Sequence, residues 1–276
     1  MTNTQRQIVL LRGGGDLASG VALRLHRAGI AVLITEIAQP LAVRRTVSFS
    51  EAVYAGATTV EGITARHIKT VDELKICLDV GEIPVFVDPE VSIQNKIAPL
   101  VWVDARMTKR EPAHGLDIAP LIIGLGPGFV PEKNCHAAIE TIRGHNLGRV
   151  LWNQPPMPDT GIPETVQKYS IDRVLRAPCD GVLETRFQIG EKILQGQEIG
   201  RVRGEQTGLL IAPFDGVLRG LLPEGFAVRV GMKVGDLDPR GDPSYCFTVS
   251  DKALAIGGGV LEAILSRPAI RNQLWR

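Results

Sequence analysis

A thiol, an imidazole, a carboxylate and a guanidinium follow one another in the middle of the chain, at Cys135, His136, Glu140 and Arg143. An asparagine before them and a glycine after them predict a helix over 134–144. Cys135 and His136 would begin that helix, where unpaired N–H groups and the helix dipole lower the pKa of a thiol. Cys135 is therefore a candidate reactive cysteine, unless it is only a small apolar residue at a helix start. His136, Glu140 and Arg143 would share one helix face, either as a polar wall of the site or as an exposed ion-paired stripe.

A glycine-rich turn near the start of the chain is a second candidate site, for phosphate. The apolar run 8–12 predicts a buried strand, and the spacing of apolar residues over 17–28 predicts a helix. Between them, Gly13, Gly15 and Ala18 match the dinucleotide-binding pattern G-x-G-x-x-G/A, in which backbone N–H groups at a helix start bind phosphate. The glycines otherwise serve only the packing of helix on strand. The candidate ligand contacts of this turn are Gly13, Gly14, Gly15, Asp16, Leu17 and Gly20.

Two acidic residues bear on the ligand of this turn. Glu36 ends a second predicted strand and lies 21 positions after Gly15, close to the spacing at which an acid binds a ribose 2′-OH. An acid there disfavours a 2′-phosphate, so the predicted cofactor is NAD-like or another adenine nucleotide rather than NADP. Asp16 either caps the helix or faces the ligand.

A second glycine-rich loop follows a strand predicted over 120–124. Both glycine-rich loops leave the carboxyl ends of strands, so in a parallel sheet they emerge at one edge and close on one ligand from two sides. Asp104 ends another apolar run and is expected at this edge, where it faces the ligand or forms a turn. Arg106 either holds an anionic group or lies in a solvated basic loop. The candidate ligand contacts of the second loop are Gly124, Gly126 and Gly128.

The second half of the chain contains an internal repeat. Residues 177–183 recur as residues 212–218, and later glycines continue the same offset of 35. Short alternating stretches between the glycines predict strands, and the pattern resembles the biotinyl/lipoyl barrel-sandwich hybrid. The turn between the two copies, residues 202–208, contains no lysine, so neither biotin nor lipoate is expected.

The predicted fold class is an α/β Rossmann-like parallel sheet domain plus a small all-β barrel-sandwich hybrid domain and a C-terminal helix. Three glycines inside that helix each reduce helix stability by about 1 kcal/mol relative to alanine, which favours close packing on another backbone, and we expect that backbone in the first domain. The predicted domains are a nucleotide-binding domain over 1–155, a proline-rich linker over 156–171, the β module over 172–250 and the C-terminal helix over 251–276.

The bulk composition limits the class of partner. The formal net charge is +1, from 31 basic and 30 acidic residues, so we expect neither nucleic acid nor an anionic membrane as a partner. The polar first residues lack the apolar core of a signal peptide, which favours a cytoplasmic location. The four cysteines are widely spaced, which predicts free thiols and no metal site.

Longer motifs resemble a known family. They are R-G-G-G-D-L-A-S-G, G-L-G-P-G-F, N-C-H-A-A-I-E-T-I-R-G-H-N-L-G-R-V, R-A-P-C-D-G-V, D-L-D-P-R-G and S-D-K-A-L-A-I-G-G-G-V-L-E-A-I-L. They resemble the YqeB-type accessory proteins of selenium-dependent molybdenum hydroxylase systems, and the first domain is similar to the Rossmann portion of xanthine dehydrogenase accessory factors. The resemblance implies a maturation factor that binds a nucleotide or the molybdenum cofactor. It further implies Cys135 as a carrier of sulfur or selenium, and a molybdenum hydroxylase or its cofactor-assembly proteins as partners.

Two other functions stay open from the sequence. One is a NAD-dependent oxidoreductase, against which stands the lack of a Tyr-x-x-x-Lys or comparable acid–base pair. The other is a non-catalytic scaffold whose β module docks a target enzyme. The resemblance does not establish catalysis, and the sequence leaves open whether the chain forms a homo-oligomer.

Overall fold

The computed structural model describes residues 7–159, 166, 169 and 171–274, so most of the predicted linker 156–171 lies outside the described residues. The chain divides into two compact units. In the described part of the chain, no helix combines the length and the apolar character needed to cross a membrane. Unit 1 comprises Met1–Pro40, Ser48–Asp159 and Val249–Arg276, and unit 2 comprises Leu41–Val47 and Thr160–Thr248.

Unit 1 is built on one nine-stranded sheet. Its strands are β1 (Ile8–Arg12), β2 (Ala31–Glu36), β3 (Ala57–Val60), β4 (Ile63–Ile68), β5 (Ile83–Val87), β6 (Val101–Asp104), β7 (Leu121–Leu125), β8 (Ala137–Ile139) and β9 (Val150–Leu151). Its helices are α1 (Asp16–Arg27), α2 (Ala52–Ala55), α3 (Asp72–Asp79), α4 (Gln94–Ile97), α5 (Asp251–Leu265) and α6 (Pro268–Arg271).

The strand order β3-β4-β5-β2-β1-β6-β7-β8-β9 places a switch in direction at β1. From β1 the chain builds the sheet toward β2, β5 and β4, and it then returns to add β6 on the other side of β1. Loops after β1 and β6 therefore run in opposite directions. The carboxyl ends of such neighbouring strands border the place where open α/β sheets bind ligands. Arg12 and Asp104, the last residues of β1 and β6, are register partners there.

The predicted fold class is wrong for unit 1, because the sheet is mixed and not parallel throughout. Across the sheet from β4 through β5, β2, β1, β6 and β7 to β8, neighbouring strands pair in parallel. The two edge strands differ, since β3 pairs antiparallel with β4 and β9 pairs antiparallel with β8. The β3–β4 connection is a tight turn at Gly62, whose φ of +80° suits glycine. Such short hairpins add antiparallel edges that a strand–helix–strand pattern does not predict.

The helix predicted over 134–144 is also wrong, because this segment contains strand β8. All of Ala137–Ile139 is buried, as befits a short strand covered on both faces. The asparagine read as a helix cap stabilises the preceding loop instead. Asn134 Oδ1 accepts from the N–H of Val130 at 2.8 Å, and its Nδ2 donates to the carbonyl of Gly128 at 3.2 Å.

Helix α5 packs on α1 through backbone that only glycine allows. A Cβ added at Gly257 would lie 2.6 Å from the carbonyl oxygen of Gly20, and one added at Gly20 would lie 2.6 Å from that of Ala253. By contrast, a Cβ at Gly258 would contact nothing within 4 Å. The C-terminal helix is thus an integral layer of unit 1.

The strands of unit 2 are β10 (Val174–Arg176), β11 (Gly181–Thr185), β12 (Lys192–Ile193), β13 (Glu198–Arg203), β14 (Thr207–Ile211), β15 (Gly216–Leu221), β16 (Ala227–Val228) and β17 (Lys233–Asp238). They form two antiparallel four-stranded sheets, ordered β10-β17-β15-β12 and β14-β13-β11-β16, which correct the predicted barrel-sandwich hybrid. The two repeat copies exchange hydrogen bonds: Asp180 Oδ1 accepts from the N–H of Val230 at 2.6 Å, and Asp215 Oδ1 accepts from that of Gln195 at 2.7 Å. Each donor and acceptor thus has its equivalent 35 positions away.

Candidate functional site

The glycine-rich turn after β1 leaves an open helix N-terminus. Gly13 has a φ of +94°, which side-chain-bearing residues rarely adopt, and its N–H donates to the carbonyl of Thr35 at 2.8 Å. Gly15 is the N-cap of α1 without a side-chain capping bond, and a Cβ added to it would contact nothing within 4 Å. The predicted capping by Asp16 is wrong, because Asp16 is already the first helical residue. The first N–H groups of α1 lack intrahelical acceptors, and the helix dipole favours an anion there.

Glu36, at the end of β2, is held beside this turn. Its Oε2 accepts from the N–H of Gly14 at 2.8 Å, and its Oε1 accepts from the N–H of Ile37 at 2.8 Å. Each carboxylate oxygen keeps lone-pair capacity for a hydroxyl donor. The Glu36 carboxylate would repel a phosphate placed directly beside it.

An ion pair between the buried Asp104 and the partly exposed Arg106 lies on the other side of β1. Asp104 is 0% exposed, and Arg106 grips it with two parallel hydrogen bonds, Nε to Oδ1 at 2.9 Å and Nη2 to Oδ2 at 2.6 Å. The Arg106 side chain passes the glycine turn, since its Cγ lies 3.5 Å from a Cβ placed on Gly13. The pair therefore joins the tip of β6 to the turn after β1.

The electrostatics of this pair keep Asp104 ionised. Burial by itself would raise the pKa of Asp104, but the neighbouring His114 and Arg106 outweigh it and lower that pKa. Burial lowers the pKa of Arg12, and the like charge of Arg106 lowers it further, whereas the carboxylates of Asp104, Glu90 and Asp88 raise it.

The His114 ring lies beside the ion pair of Asp104 and Arg106. Its Nε2 lies 3.8 Å from Asp104 Oδ2, longer than a hydrogen bond. Its ring centroid lies 5.8 Å from that of Trp102 and 6.4 Å from that of Phe129. Trp102 precedes Asp104 by two positions on β6, so both side chains lie on one face of the sheet.

The second glycine-rich loop contacts the chain itself. A side chain at Gly124 would collide with Phe129, and one at Gly128 would collide with the carbonyl of Arg110. Gly126 has a φ of +111°. These glycines let the loop pack on the segment that carries Arg106, and this packing helps to position the ion pair between Arg106 and Asp104.

Cys135 lies in the turn before β8 and is 0% exposed. Burial raises the pKa of its thiol to about 12. The predicted lowering of this pKa is therefore wrong, because no helix N-terminus is present to stabilise the thiolate. Cys135 packs in the apolar core with Phe129 and Ala138.

The polar residues predicted beside Cys135 do not share a helix face. His136 Nδ1 accepts from a backbone N–H of β7 at 2.9 Å, and burial lowers its pKa. Glu140 is buried, and its carboxylate accepts from three backbone N–H groups at 2.7, 2.8 and 2.9 Å. Arg143 donates from Nη2 to Asp251 at 2.7 Å. Each of these contacts stabilises local structure.

Two further candidates at the turn point to different roles. Leu17 is half-buried in the first turn of α1, and Gly20 faces α5.

Sequence reasoning did not single out Arg12 or His114. The available signal for Arg12 was a basic residue at the end of an apolar strand, directly before the glycines, whereas nothing local marks His114.

The chain is 45% identical over 259 residues to the uncharacterized protein YqeB of Escherichia coli strain K12. The match covers 94% of this chain and 47% of that protein, so the chain spans about half the length of the curated relative it matches. The YqeB-type resemblance is thus confirmed over these residues. No family model matches the chain.

Solved structures give a more distant likeness. A succinylglutamate desuccinylase/aspartoacylase from Rhodobacter sphaeroides is 16% identical, with 84% of this chain and 85% of that chain covered and a TM-score of 0.27. An aspartoacylase family protein from Mesorhizobium loti is 12% identical, with coverage of 84% and 85% and a TM-score of 0.28. The ectoine utilization protein EutE of Ruegeria pomeroyi is 11% identical, with coverage of 84% and 85% and a TM-score of 0.26.

The predicted role as a maturation factor for a selenium-dependent molybdenum hydroxylase is corrected to the coarser statement that the chain resembles an uncharacterized protein. The solved structures include desuccinylase and aspartoacylase family proteins, and the sequence relative is uncharacterized. The predicted descriptions of this chain as a selenium protein, a molybdenum cofactor protein and a Rossmann protein are therefore not retained. TM-scores this low carry no argument for desuccinylase chemistry in this chain.

Proposed function

We propose that unit 1 binds an adenine nucleotide, with a phosphate at the N-terminus of α1 and ribose hydroxyls at Glu36. The observation that carries the proposal is the open, uncapped helix start at Gly15, flanked by the Glu36 carboxylate and by Arg106. Backbone N–H groups and the helix dipole at such a position attract a phosphate. The ligand crevice of an open α/β sheet lies at this same switch in strand order.

The arginines support an anionic ligand. Arg12 ends β1 directly before the glycines, and the Arg106 side chain passes the same turn, so a phosphate at the start of α1 would lie near two cations. Arg12 is steadied by donating to the carbonyl of Pro89 at 2.8 Å, and Arg106 by its grip on Asp104. Both cations are thus held in place before a ligand arrives.

Glu36 supports a preference among nucleotides. A ribose with free hydroxyls can donate to the carboxylate, whereas a 2′-phosphate would be repelled by it. Because two backbone donors hold Glu36, it cannot swing away without losing both bonds.

Calorimetric titration tests the proposal. We expect saturable binding of ADP with one site per chain, and tighter binding of NAD than of NADP. Glu36→Gln, which keeps the shape and one acceptor oxygen, should remove the preference for NAD over NADP. No heat of binding with millimolar ADP and NAD would refute the proposal.

A further inference from the structure

Two buried ring nitrogens near Asp104, Nε1 of Trp102 and Nε2 of His114, have no partner within hydrogen-bond distance among the described residues. Trp102 is 2% exposed, and no hydrogen-bond partner for its Nε1 exists among the described residues. The same holds, within that part of the chain, for Nε2 of His114, whose side chain is 10% exposed. Folded proteins pair nearly all such buried groups, so two in adjacent rings call for an explanation.

The chemistry of the missing partner follows from Asp104. Its Oδ1 accepts from both the backbone N–H and the Nε of Arg106, whereas its Oδ2, which accepts from Nη2 of Arg106 and lies 3.8 Å from Nε2 of His114, keeps lone-pair capacity. A group beside these atoms should accept from a ring N–H and donate to a carboxylate. A hydroxyl does both, whereas a second anion would be repelled by Asp104.

Asp104 and Trp102 lie on one side of the proposed phosphate position, and Glu36 lies on the other. Asp104 and Trp102 belong to β6, on the opposite side of β1 from Glu36. Arg106 spans the gap, since it binds Asp104 and its Cγ lies 3.5 Å from a Cβ placed on Gly13. A ligand that continues past the phosphates, away from Glu36, therefore moves toward Asp104.

We infer that Trp102, Asp104 and His114 bind a hydroxyl group on a sugar or polyol portion of the ligand that lies beyond the phosphates. This inference rests on the proposed nucleotide site, because that site fixes where the phosphates lie. The three residues bind and orient this portion, and Arg106 holds Asp104 in place as the acceptor.

A comparison of ADP with ADP-ribose by calorimetry isolates this portion, because ADP-ribose adds a second ribose beyond the phosphates. We expect the wild-type protein to bind ADP-ribose about tenfold more tightly than ADP, the gain of roughly one well-placed hydrogen bond. Trp102→Phe removes the indole donor and should reduce ADP-ribose affinity to that of ADP, with ADP affinity unchanged. His114→Phe removes the second unpaired ring nitrogen and keeps a ring beside Trp102, so it should have the same effect.

Trp152→Phe is the matched control, because Trp152 packs under Arg267 and lies outside the cluster. It should leave both affinities at wild-type values. Equal affinity of the wild-type protein for ADP and ADP-ribose would refute the hydroxyl site and leave the nucleotide site standing. Equal losses for both ligands in Trp102→Phe and His114→Phe would also refute it. Failure of the wild-type protein to bind either ligand would refute both proposals.

Discussion

A valine at Gly15 should block nucleotide binding and leave the fold intact. Gly15 has an ordinary φ of −69°, and a Cβ there would contact nothing within 4 Å, so the side chain fits without strain. It would then fill the space in front of the first N–H groups of α1. A phosphate could no longer approach those donors.

The expected loss follows from the bonds removed. A hydrogen bond to a charged group contributes about 1.5–3 kcal/mol, so losing one or two costs about 3 kcal/mol, a roughly 100-fold rise in Kd. Valine is a poorer N-cap than glycine, which should lower the free energy of unfolding by about 1 kcal/mol. Binding should therefore change far more than stability.

Calorimetry with ADP and urea denaturation measure the two effects separately. Gly258→Val is the matched control, because Gly258 also has open space around its Cβ position but lies in α5. It should leave ADP affinity unchanged. Wild-type affinity in Gly15→Val would show that the phosphate binds elsewhere, and an equal loss in Gly258→Val would show that the effect is not local.

Further predictions concern packing, acid stability and thiol reactivity. Gly257→Ala should lower the free energy of unfolding by about 1–3 kcal/mol, because its Cβ would collide with a carbonyl of α1, whereas Gly258→Ala should raise it by about 1 kcal/mol; urea denaturation checks both. The lowered pKa of Asp104 adds stability above its unfolded-state pKa of about 3.9, and this stability is lost as pH falls through the lower folded-state pKa. The stability gap between wild type and Asp104→Asn should thus narrow from pH 7 to pH 3, and a constant gap would contradict this. Cys135, whose pKa burial raises to about 12, should resist iodoacetamide at pH 8 while the half-buried Cys179 reacts; peptide mass spectrometry showing equal labelling would contradict it.

Local patterns predicted the elements around the glycine turn. The apolar run before Gly13 forms β1, and the apolar spacing after it forms α1, because the period of the apolar residues is visible within each continuous segment. Gly13 was also recognisable, since the turn requires its positive φ. The antiparallel edges were not, because pairing at a sheet edge depends on strands distant in sequence.

The segment around Asn134 shows why local signals fail. Asparagine before a polar-apolar run is typical of a helix start, but here its side chain binds the backbone of Val130 and Gly128. A free parallel edge of β7 then accepts Ala137–Ile139 as a strand. The presence of that edge is a property of the assembled sheet.

The charged part of the candidate site depended on strand register. Asp104 was predicted at the sheet edge, but its register partner Arg12 and the covering ring of His114 become neighbours only after folding. No spacing along the chain encodes a contact between a residue of β1 and one of a later loop. The glycine turn was therefore predictable from the sequence, whereas the grouping of Arg12, Asp104 and His114 beside it was not.

Hydrogen–deuterium exchange with and without saturating ADP tests the nucleotide site most directly. We predict slower exchange in peptides covering residues 13–19 and 104–107 when ADP is present, because the ligand would cover the start of α1 and contact Arg106. Peptides from residues 171–248 should be unchanged. Unchanged exchange over 13–19, or protection confined to 171–248, would contradict a nucleotide site at the glycine turn.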